Sequence, residues 1–496
     1  MSEVKEKKYM KVCFINPPFK SEYGKFSRES RSPSIGHSGV LYYPLWLIYA
    51  AAVVKKDGFK IAFIDAPAKQ LTEEETMKRV EAEAAKARLF VLDTSTPSIR
   101  SDVAFGASLK KKYPGSRIML VGTHPSATDM ETIQMDESID FIARHEYDYI
   151  VRDTARALYE GKDLKEVPGI TYRENGEIFR NPDAPHIEDM DEIPMAAPFI
   201  KHYLDVRDYV FPAASYPAIQ IFTGRGCPAH CNFCVYPQTL HGHKYRLRSP
   251  ENVVREFRYI ARFFPEVHEI VIEDDTFTAN KKRVLEICDL LVKEGLNKRF
   301  RWLCNARVNI DLETMQAMKK AGCHLIIPGF ESYNDQILLN IKKGSTKELI
   351  DAYVANAKKA GLMIHACYMV GNEGETRETM EETLKAALRF NTDTAQFFPL
   401  IPYPGTEAYY WARSKGYISG NYDDYLQEDG TLNCVLNTPE LSAKELVDFC
   451  SYARKKYYLR PWYIAHRLKK GLTDPEDMKR SVKAFWRLKD SLFSRD

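Results

Sequence analysis

The stretch Gly226-Cys227-Pro228-Ala229-His230-Cys231-Asn232-Phe233-Cys234 puts three cysteines on one short segment. It directly follows residues 218–223, an apolar run typical of a buried β-strand. Three thiolates on one loop can ligate three irons of a cubane iron–sulfur cluster and leave the fourth iron open for a substrate. The alternative is a structural zinc site, for which His230 could supply the fourth ligand. Spacings of four and three without a second Cys-x-x-Cys pair favour the cluster.

The remaining cysteines show no such grouping. Ten cysteines in 496 residues are too few and too scattered for a disulfide framework, so the one crowded group indicates metal or redox chemistry. The others mostly lie in apolar runs, where free cysteine packs as a small apolar residue. These residues are Cys13, Cys288, Cys304, Cys323, Cys367, Cys434 and Cys450.

Downstream of the three cysteines, strand-like and helix-like segments alternate. With the run before the cysteines included, the strand candidates are residues 218–223, 269–273, 301–305, 324–329, 363–370 and 394–400. The helical patterns between them cover residues 253–264, 283–294, 312–321, 346–360 and 376–390. Six strand–helix units in series predict a partial (β/α)6 parallel barrel over residues 218–405. Such barrels place their chemistry at the carboxyl ends of the strands.

The beginning of the chain shows a second alternation. Its strand-like segments are residues 11–15, 60–65, 89–93 and 118–121, and helical patterns such as residues 44–56 and 73–87 separate them. This order predicts an α/β fold with helices on both faces of a parallel sheet, a doubly wound Rossmann-like domain over residues 1–166. Ligands of such sheets bind beyond the carboxyl ends of the strands.

Two less regular regions flank the predicted barrel. Residues 167–217 are Pro-rich and acidic, which predicts a linker with one hairpin around Asn175-Gly176. Residues 406–496 form the predicted helical C-terminal region. From residue 451 onward it holds 13 Lys or Arg and 5 Asp or Glu, together with several large aromatic residues. Such a segment suits either a helix lying on an anionic membrane surface or a helical cap that closes the barrel.

Composition limits where the protein works and what it binds. Hydrophobic residues make up 44% and charged residues 28%, as in a soluble globular protein. No uninterrupted apolar run approaches the roughly 20 residues of a membrane span, and residues 1–9 are charged rather than signal-like. We therefore expect a cytoplasmic protein. Any membrane contact would be peripheral and would involve the C-terminal region. No nucleic-acid reader motif accompanies the basic patch, so nucleic acid is not an expected partner.

Cys-x-x-x-Cys-x-x-Cys after a barrel strand resembles the signature of the radical S-adenosylmethionine (SAM) superfamily. The likeness continues at the later strand ends, in Glu273-Asp274-Asp275-Thr276-Phe277, Arg307, Gly329-Phe330-Glu331-Ser332, Gly371-Asn372-Glu373-Gly374-Glu375-Thr376 and Pro402-Tyr403-Pro404-Gly405-Thr406. The resemblance implies a [4Fe-4S] cluster on the three cysteines, namely Cys227, Cys231 and Cys234. It also implies reductive cleavage of SAM, with a low-potential flavodoxin or ferredoxin as electron donor.

The same resemblance implies a set of SAM contacts, namely Asp274, Asp275, Arg307, Glu331, Gly371 and Glu375. Their acids can accept hydrogen bonds from the SAM ammonium or ribose hydroxyls, and the arginine can pair with the SAM carboxylate. Each residue could instead only cap a strand end. The second strand lacks the Gly-Gly-Glu form common in the superfamily, so which of its three acids contacts SAM stays open. The resemblance identifies no further catalytic residue.

The N-terminal domain resembles the cobalamin-binding domain that precedes the barrel in one radical SAM subgroup. The likeness lies in Asn16-Pro17-Pro18, Tyr43-Pro44-Leu45-Trp46, Asp65 and two strand ends, and it implies cobalamin contacts at Thr94, Ser95, Thr96, Gly122, Thr123 and His124. No Asp-x-His-x-x-Gly occurs in the chain, so the expected corrin is base-off without a protein imidazole on cobalt. His124 is then a turn or nucleotide-tail contact. The alternative is a vestigial domain that binds no corrin.

A narrower resemblance concerns the substrate. Tyr42-Tyr43-Pro44-Leu45-Trp46, Ile64-Asp65-Ala66-Pro67-Ala68, Tyr236-Pro237-Gln238-Thr239, Gly242-His243-Lys244-Tyr245-Arg246 and Asp275-Thr276-Phe277-Thr278 resemble hopanoid-biosynthesis radical SAM enzymes. This implies hydrogen abstraction from an unactivated carbon, followed by ring contraction to a cyclitol on a lipid-linked polyol or another small molecule. The alternatives are a cobalamin-dependent C-methyltransferase and a non-catalytic corrin or redox sensor.

Overall fold

The computed structural model describes residues 10–36 and 39–473. Its first domain is built on a seven-stranded sheet, in the spatial order β4-β1-β5-β6-β7-β8-β9. These strands are β1 (Lys11–Asn16), β4 (Lys60–Asp65), β5 (Ala87–Thr94), β6 (Arg117–Gly122), β7 (Phe141–Ala143), β8 (Ile170–Glu174) and β9 (Glu177–Arg180). The first five are parallel, and β8 and β9 add antiparallel strands at one edge. The predicted doubly wound sheet is thereby confirmed.

The predicted linker from residue 167 onward is wrong in its first part. The hairpin expected around Asn175-Gly176 is present, but its two strands join the N-terminal sheet rather than connect two domains. Ile170 and Tyr172 are fully buried, so apolar burial attaches the hairpin to the sheet edge. Short hydrophobic strands paired antiparallel at an edge are hard to distinguish from a linker when Pro and acidic residues surround them.

The helices of this domain cover both faces of the sheet. They are α1 (Leu45–Lys56), α2 (Glu73–Ala84), α3 (Ile99–Lys112), α4 (Thr123–Ala127), α5 (Asp129–Gln134), α6 (Asp148–Glu160) and α7 (Ala196–Tyr203). Helix α1 is buried almost throughout, since every residue from Leu45 to Val54 is buried. A helix that is apolar on all faces must be enclosed. Here it packs between the N-terminal sheet and the second domain, where the Tyr49 hydroxyl lies 3.1 Å from the Phe222 nitrogen.

The second domain is the predicted parallel barrel of six strands, arranged in chain order and hydrogen-bonded only to chain neighbours. They are β10 (Ala218–Ile221), β13 (Glu269–Ile272), β14 (Arg301–Ala306), β15 (Cys323–Glu331), β16 (Met363–Val370) and β17 (Thr394–Pro399). Two-residue strands form small ladders elsewhere, β2 (Phe26–Ser27) with β3 (Ser34–Ile35) and β11 (Gly224–Arg225) with β12 (Arg246–Leu247).

The outer helices of the barrel are α8 (Pro250–Phe263), α9 (Lys281–Lys293), α10 (Leu296–Arg299), α11 (Leu312–Lys320), α12 (Asp335–Asn340), α13 (Lys347–Ala360) and α14 (Arg377–Phe390). Several begin at side-chain caps, which is why their boundaries were visible in the sequence. For example, the Ser249 side chain accepts from the Asn252 N–H, and Pro250 follows at the first helical position.

The C-terminal region contains α15 (Glu407–Ser414), α16 (Ala443–Tyr458) and α17 (Pro461–Thr473). Three tyrosines attach the last two helices to the edge strand β17 and to the two residues before it. Tyr457 donates to the Thr392 carbonyl at 2.6 Å, and Tyr458 donates to the Ala395 carbonyl at 2.6 Å. The Tyr463 hydroxyl donates to the Asp393 carbonyl at 2.7 Å. The capping interpretation thus holds for these helices, whereas the basic residues after 473 lie outside the described part.

In the described ranges, no helix has the length and apolar character needed to cross a bilayer.

Candidate active site

The cysteine loop begins at a position that only glycine can occupy. Gly226 has φ +88°, and a Cβ there would lie 2.3 Å from the Lys244 carbonyl oxygen. The β11–β12 ladder brings the segment that contains Gly242 and Lys244 against the cysteine loop. The Cys227 N–H donates to the Gly242 carbonyl at 3.3 Å. The loop therefore leaves β10 in one fixed direction, with Cys227 and Cys231 buried and Cys234 half-buried.

Gln238 holds the rest of the loop. Its Nε2 lies 3.3 Å from the Cys231 carbonyl, 3.2 Å from that of Asn232 and 2.9 Å from that of Cys234. Its Oε1 accepts from the Glu407 N–H at 3.0 Å, at the start of α15. One amide thus connects the cysteine loop to the end of the sixth strand unit. Sequence reasoning missed this role, because an isolated glutamine carries no signal of its own.

Burial favours the protonated form of Cys227 and of Cys234 in the absence of metal. Burial raises the pKa of Cys227 and raises the pKa of Cys234 to about 12, against the lowering effect of Arg31. Metal binding releases such protons, since thiolates are the ligands of iron–sulfur clusters. The donor set therefore fits a cluster, provided that iron supplies the compensating charge.

The zinc alternative receives no support from the geometry. Within residues 10–36 and 39–473, no three His, Cys, Asp or Glu side chains converge on a point where one ion could be held. A cubane cluster makes no such demand, because each thiolate binds a different iron. His230, the proposed fourth zinc ligand, is exposed and stacks on His243 with ring centroids 4.1 Å apart.

The acids after β13 divide into different roles. Asp274 is fully buried and accepts from the Thr223 N–H at 2.5 Å, the Thr223 hydroxyl at 2.5 Å and the Tyr245 hydroxyl at 2.9 Å. These bonds engage both of its oxygens, so Asp274 ties β13 to the end of β10. The strand-end capping interpretation therefore accounts for Asp274, and the geometry gives no support to a SAM contact there.

Asp275 and Glu273 lie beside the cysteine loop, and the Asp275 side chain is 4% exposed. Asp275 pairs with His241 Nδ1 at 3.1 Å. Burial opposes its charge, but the His241 hydrogen bond and the Gly226 N–H hold the pKa of Asp275 below its ordinary value. Glu273 accepts from Gln220 at 3.2 Å, and burial raises the pKa of Glu273. Glu273, one of the three acids between which the sequence left the SAM contact open, joins Asp275 as a candidate SAM contact.

Arg307 and Glu331 meet at the next two strand ends. Lys343 bridges them, because its Nζ lies 2.8 Å from Glu331 Oε1 and its carbonyl accepts from Arg307 at 2.7 Å. Glu331 has φ +63° and leaves its Oε2 buried without a hydrogen-bond partner in the described structure. Arg307 lies within electrostatic range of Cys227, and Lys343 of Cys231. Both predicted residues are thus brought to the cysteine loop.

Gly371 and Glu375 shape a buried turn after β16. Glu375 Oε2 accepts from the Asn372 N–H at 2.9 Å and from its side-chain amide at 3.0 Å, and burial raises the pKa of Glu375 to about 7. A Cβ on Gly371, at φ +90°, would lie 2.8 Å from Leu446 of α16. Packing against α16 therefore accounts for Gly371, whereas Glu375, whose Oε1 is buried without a hydrogen-bond partner in the described structure, stays a predicted SAM contact.

The predicted cobalamin contacts converge at the carboxyl edge of the N-terminal sheet. Thr94 Oγ1 donates to the Val121 carbonyl at 2.7 Å, and Thr96 Oγ1 lies 3.2 Å from His124 Nδ1. The Ser95 and Ser98 hydroxyls are 2.8 Å apart. Gly122 and Thr123 join β6 to α4 beside them.

Two buried groups at this edge have polar atoms without partners in the described structure. They are Asp93 Oδ2 and His124 Nε2, on side chains that are 1% and 0% exposed. Burial raises the pKa of Asp93 to about 8 and lowers the pKa of His124 to about 3, so burial favours the neutral form of both groups. Unsatisfied buried polar atoms call for a partner. The amide groups around a corrin ring are suitable partners, so the site fits cobalamin.

A six-stranded parallel barrel with a three-cysteine loop, preceded by a Rossmann-like domain, defines a two-domain class of radical enzymes. The model of the radical SAM superfamily matches residues 221–387, and that of the B12 binding domain matches residues 32–154. The chain belongs to the radical SAM superfamily, in the group with an N-terminal B12-binding domain. Its cofactors are a [4Fe-4S] cluster, SAM and cobalamin.

Curated relatives extend over most of the chain. A protein of Pyrococcus horikoshii named as an uncharacterized methyltransferase is 31% identical over 92% of this chain and 94% of its own. An anaerobic magnesium-protoporphyrin IX monomethyl ester cyclase of Rubrivivax gelatinosus is 27% identical over 81% of this chain and 69% of its own.

A solved structure shares the fold across both domains. The radical SAM methyltransferase TsrM of Kitasatospora setae, with cobalamin and a [4Fe-4S] cluster bound, has a TM-score of 0.67 at 15% identity. The match covers 90% of this chain and 89% of that one.

Proposed function

We propose that this protein is a cobalamin-dependent radical SAM C-methyltransferase that acts on an unactivated carbon of a small molecule. The observation that carries the proposal is the nearly full-length likeness to the Pyrococcus horikoshii protein named as a methyltransferase. The names of the relatives favour methyl transfer over ring contraction on a lipid-linked polyol. Ring contraction therefore becomes the outcome that the experiment must distinguish.

Two groups of residues would bind the cofactors, one at the cysteine loop of the barrel and one at the carboxyl edge of the N-terminal sheet. Cys227, Cys231 and Cys234 would hold the cluster, which would supply the electron for reductive cleavage of SAM. Asp275 and Arg307 beside the loop can take the ammonium and the carboxylate of SAM, because their charges are opposite to those groups. The carboxyl edge of the N-terminal sheet, from Thr94 to His124, holds cobalamin. A low-potential flavodoxin or ferredoxin would supply the electrons.

Labelled SAM gives the direct test of methyl transfer. The reconstituted protein is incubated anaerobically with cobalamin, a low-potential reductant, a small-molecule and lipid extract, and SAM labelled in its methyl carbon. We expect a product that is heavier by one labelled methyl group, measured by mass spectrometry. A new product without the label would contradict methyl transfer and favour ring contraction, and no SAM turnover at all would favour the corrin or redox sensor.

We also propose peripheral membrane contact through α17. This helix exposes Trp462 by 71%, Leu468 by 55% and Leu472 by 81%, and the exposed Lys469 lies beside them. Large apolar side chains next to basic ones are typical of helices that lie on anionic bilayers, where each basic residue contributes about 1 kcal/mol. The cap formed by Tyr457 and Tyr463 uses other side chains and can coexist with this contact.

Replacing Trp462 and Leu468 together with Ser should abolish co-sedimentation with anionic vesicles, because the inserted apolar surface is lost. The melting temperature should stay unchanged, since both side chains are exposed. Wild-type binding should weaken as salt rises. Leu339→Ser is the matched control, because Leu339 is 70% exposed on α12. Wild-type protein that sediments with neither anionic nor neutral vesicles would leave α17 with the capping role alone.

A further inference from the structure

The loop between β1 and α1 reaches from the N-terminal domain to the cysteine loop. Glu29 ties this connecting loop to the start of α1. Its carboxylate accepts from the Trp46 N–H at 2.8 Å and from the Leu47 N–H at 3.0 Å. The Tyr236 hydroxyl of the barrel in turn donates to the Glu29 carbonyl at 3.1 Å. Arg31, two residues further on, is therefore held beside Tyr236.

Arg31 presents a positive charge to the cysteine loop. Its guanidinium carbon lies 5.1 Å from the centroid of the Tyr236 ring, and the group is within electrostatic range of Cys234 and Asp275. Partial desolvation opposes its charge, but these neighbours raise the pKa of Arg31 above its ordinary value. Among the described residues, the guanidinium has no hydrogen-bond or ion-pair partner.

Three cations lie around the cysteine loop. Arg307 lies near Cys227, Lys343 near Cys231 and Arg31 near Cys234. The first two belong to the barrel and are tied to it, Arg307 through the Lys343 carbonyl and Lys343 through Glu331. Only Arg31 comes from the cobalamin-binding domain.

We propose that Arg31 is a positioning residue through which the N-terminal domain sets the reduction potential of the cluster. Reduction adds one negative charge to a cluster whose three thiolates are already negative. A cation beside Cys234 stabilises the reduced form more than the oxidised form, so its presence raises the potential. Seating of the cobalamin-binding domain and reducibility of the cluster are thereby coupled. The inference rests on the three cysteines as cluster ligands and does not depend on methyl transfer.

The test is a potentiometric titration of the reconstituted full-length protein without SAM, followed by electron paramagnetic resonance of the reduced cluster. Arg31→Gln should shift the midpoint potential to a more negative value, whereas Arg31→Lys should keep it close to that of the wild type. Arg255→Gln is the matched control, because it removes the same charge from an exposed position on α8 and should leave the midpoint unchanged.

The outcomes separate the possible roles of Arg31. An unchanged midpoint potential in Arg31→Gln overturns the proposal. If equilibrium dialysis then shows weaker SAM binding, Arg31 is a SAM contact instead. If Arg31→Gln loses the cluster, a cluster of wild-type potential in Arg31→Lys supports the role of charge, and loss in both variants overturns it. Absence of cluster iron from the wild type would instead refute the cysteine ligands.

Discussion

Replacement of Cys227, Cys231 or Cys234 by Ala is expected to abolish SAM cleavage and to remove most of the bound iron. Each thiolate binds a different iron of the cluster, so no remaining ligand can substitute for the lost one. Gln238 hydrogen-bonds to three carbonyls of the loop, so the loop backbone and the two remaining thiols should stay in place in each variant. No other side chain replaces the lost thiolate as an iron ligand. Iron analysis after anaerobic reconstitution and chromatographic detection of SAM cleavage products measure the two losses.

Cys434→Ala is the matched control for this experiment. Cys434 is also a buried thiol, 5% exposed, but it lies in the C-terminal region, where its Sγ contacts the Leu436 carbonyl. The control should keep its iron and cleave SAM at the wild-type rate. SAM cleavage that persists in any one of the three loop variants would refute the assignment of that cysteine.

The sequence predicted most of the barrel because periodicity and local chemistry agree there. All six strands lie within a few residues of their predicted positions, from β10 at Ala218–Ile221 to β17 at Thr394–Pro399. Parallel strands buried on both faces form continuous apolar runs, and the amphipathic helices between them start at side-chain caps. Such signals are local, so a single sequence contains them. The β8–β9 hairpin had a local turn signal at Asn175-Gly176, but its place in the sheet depends on pairing with the distant strand β7.

The sequence could predict the candidate site only where residue type and strand end coincide. Arg307 and Glu331 were predicted on that basis, whereas Lys343 and Arg31 depend on contacts between distant segments. One signal for Arg31 was available, because residues 17–44 separate β1 from α1. A connection of this length, here with only the two-residue strands β2 and β3, is often functional. Asp274 shows the converse error, because it was predicted as a SAM contact from its place at a strand end. Only the structure shows that Thr223 and Tyr245 hydrogen-bond to its carboxylate.

Gly122→Ala is expected to lower the affinity for cobalamin roughly tenfold to a hundredfold, the equivalent of about 1.4 to 3 kcal/mol. Gly122 has φ +122°, and a Cβ there would lie 2.3 Å from the Thr94 carbonyl oxygen. The clash is with backbone, so the end of β6 must move away from β5. That movement breaks the 2.7 Å hydrogen bond from Thr94 to Val121 and displaces His124, on which the arrangement of this edge depends.

Titration of the apoprotein with cobalamin, followed by the visible corrin spectrum, measures this affinity. Gly115→Ala is the matched control, because a Cβ at Gly115 meets no atom within 4 Å. It lies shortly before the same strand, so it should bind cobalamin as the wild type does. Circular dichroism must show that Gly122→Ala keeps its secondary structure, since a local shift at one strand end leaves both cores intact. Cobalamin binding of wild-type strength in that folded variant would place the corrin elsewhere than at the carboxyl edge of the N-terminal sheet.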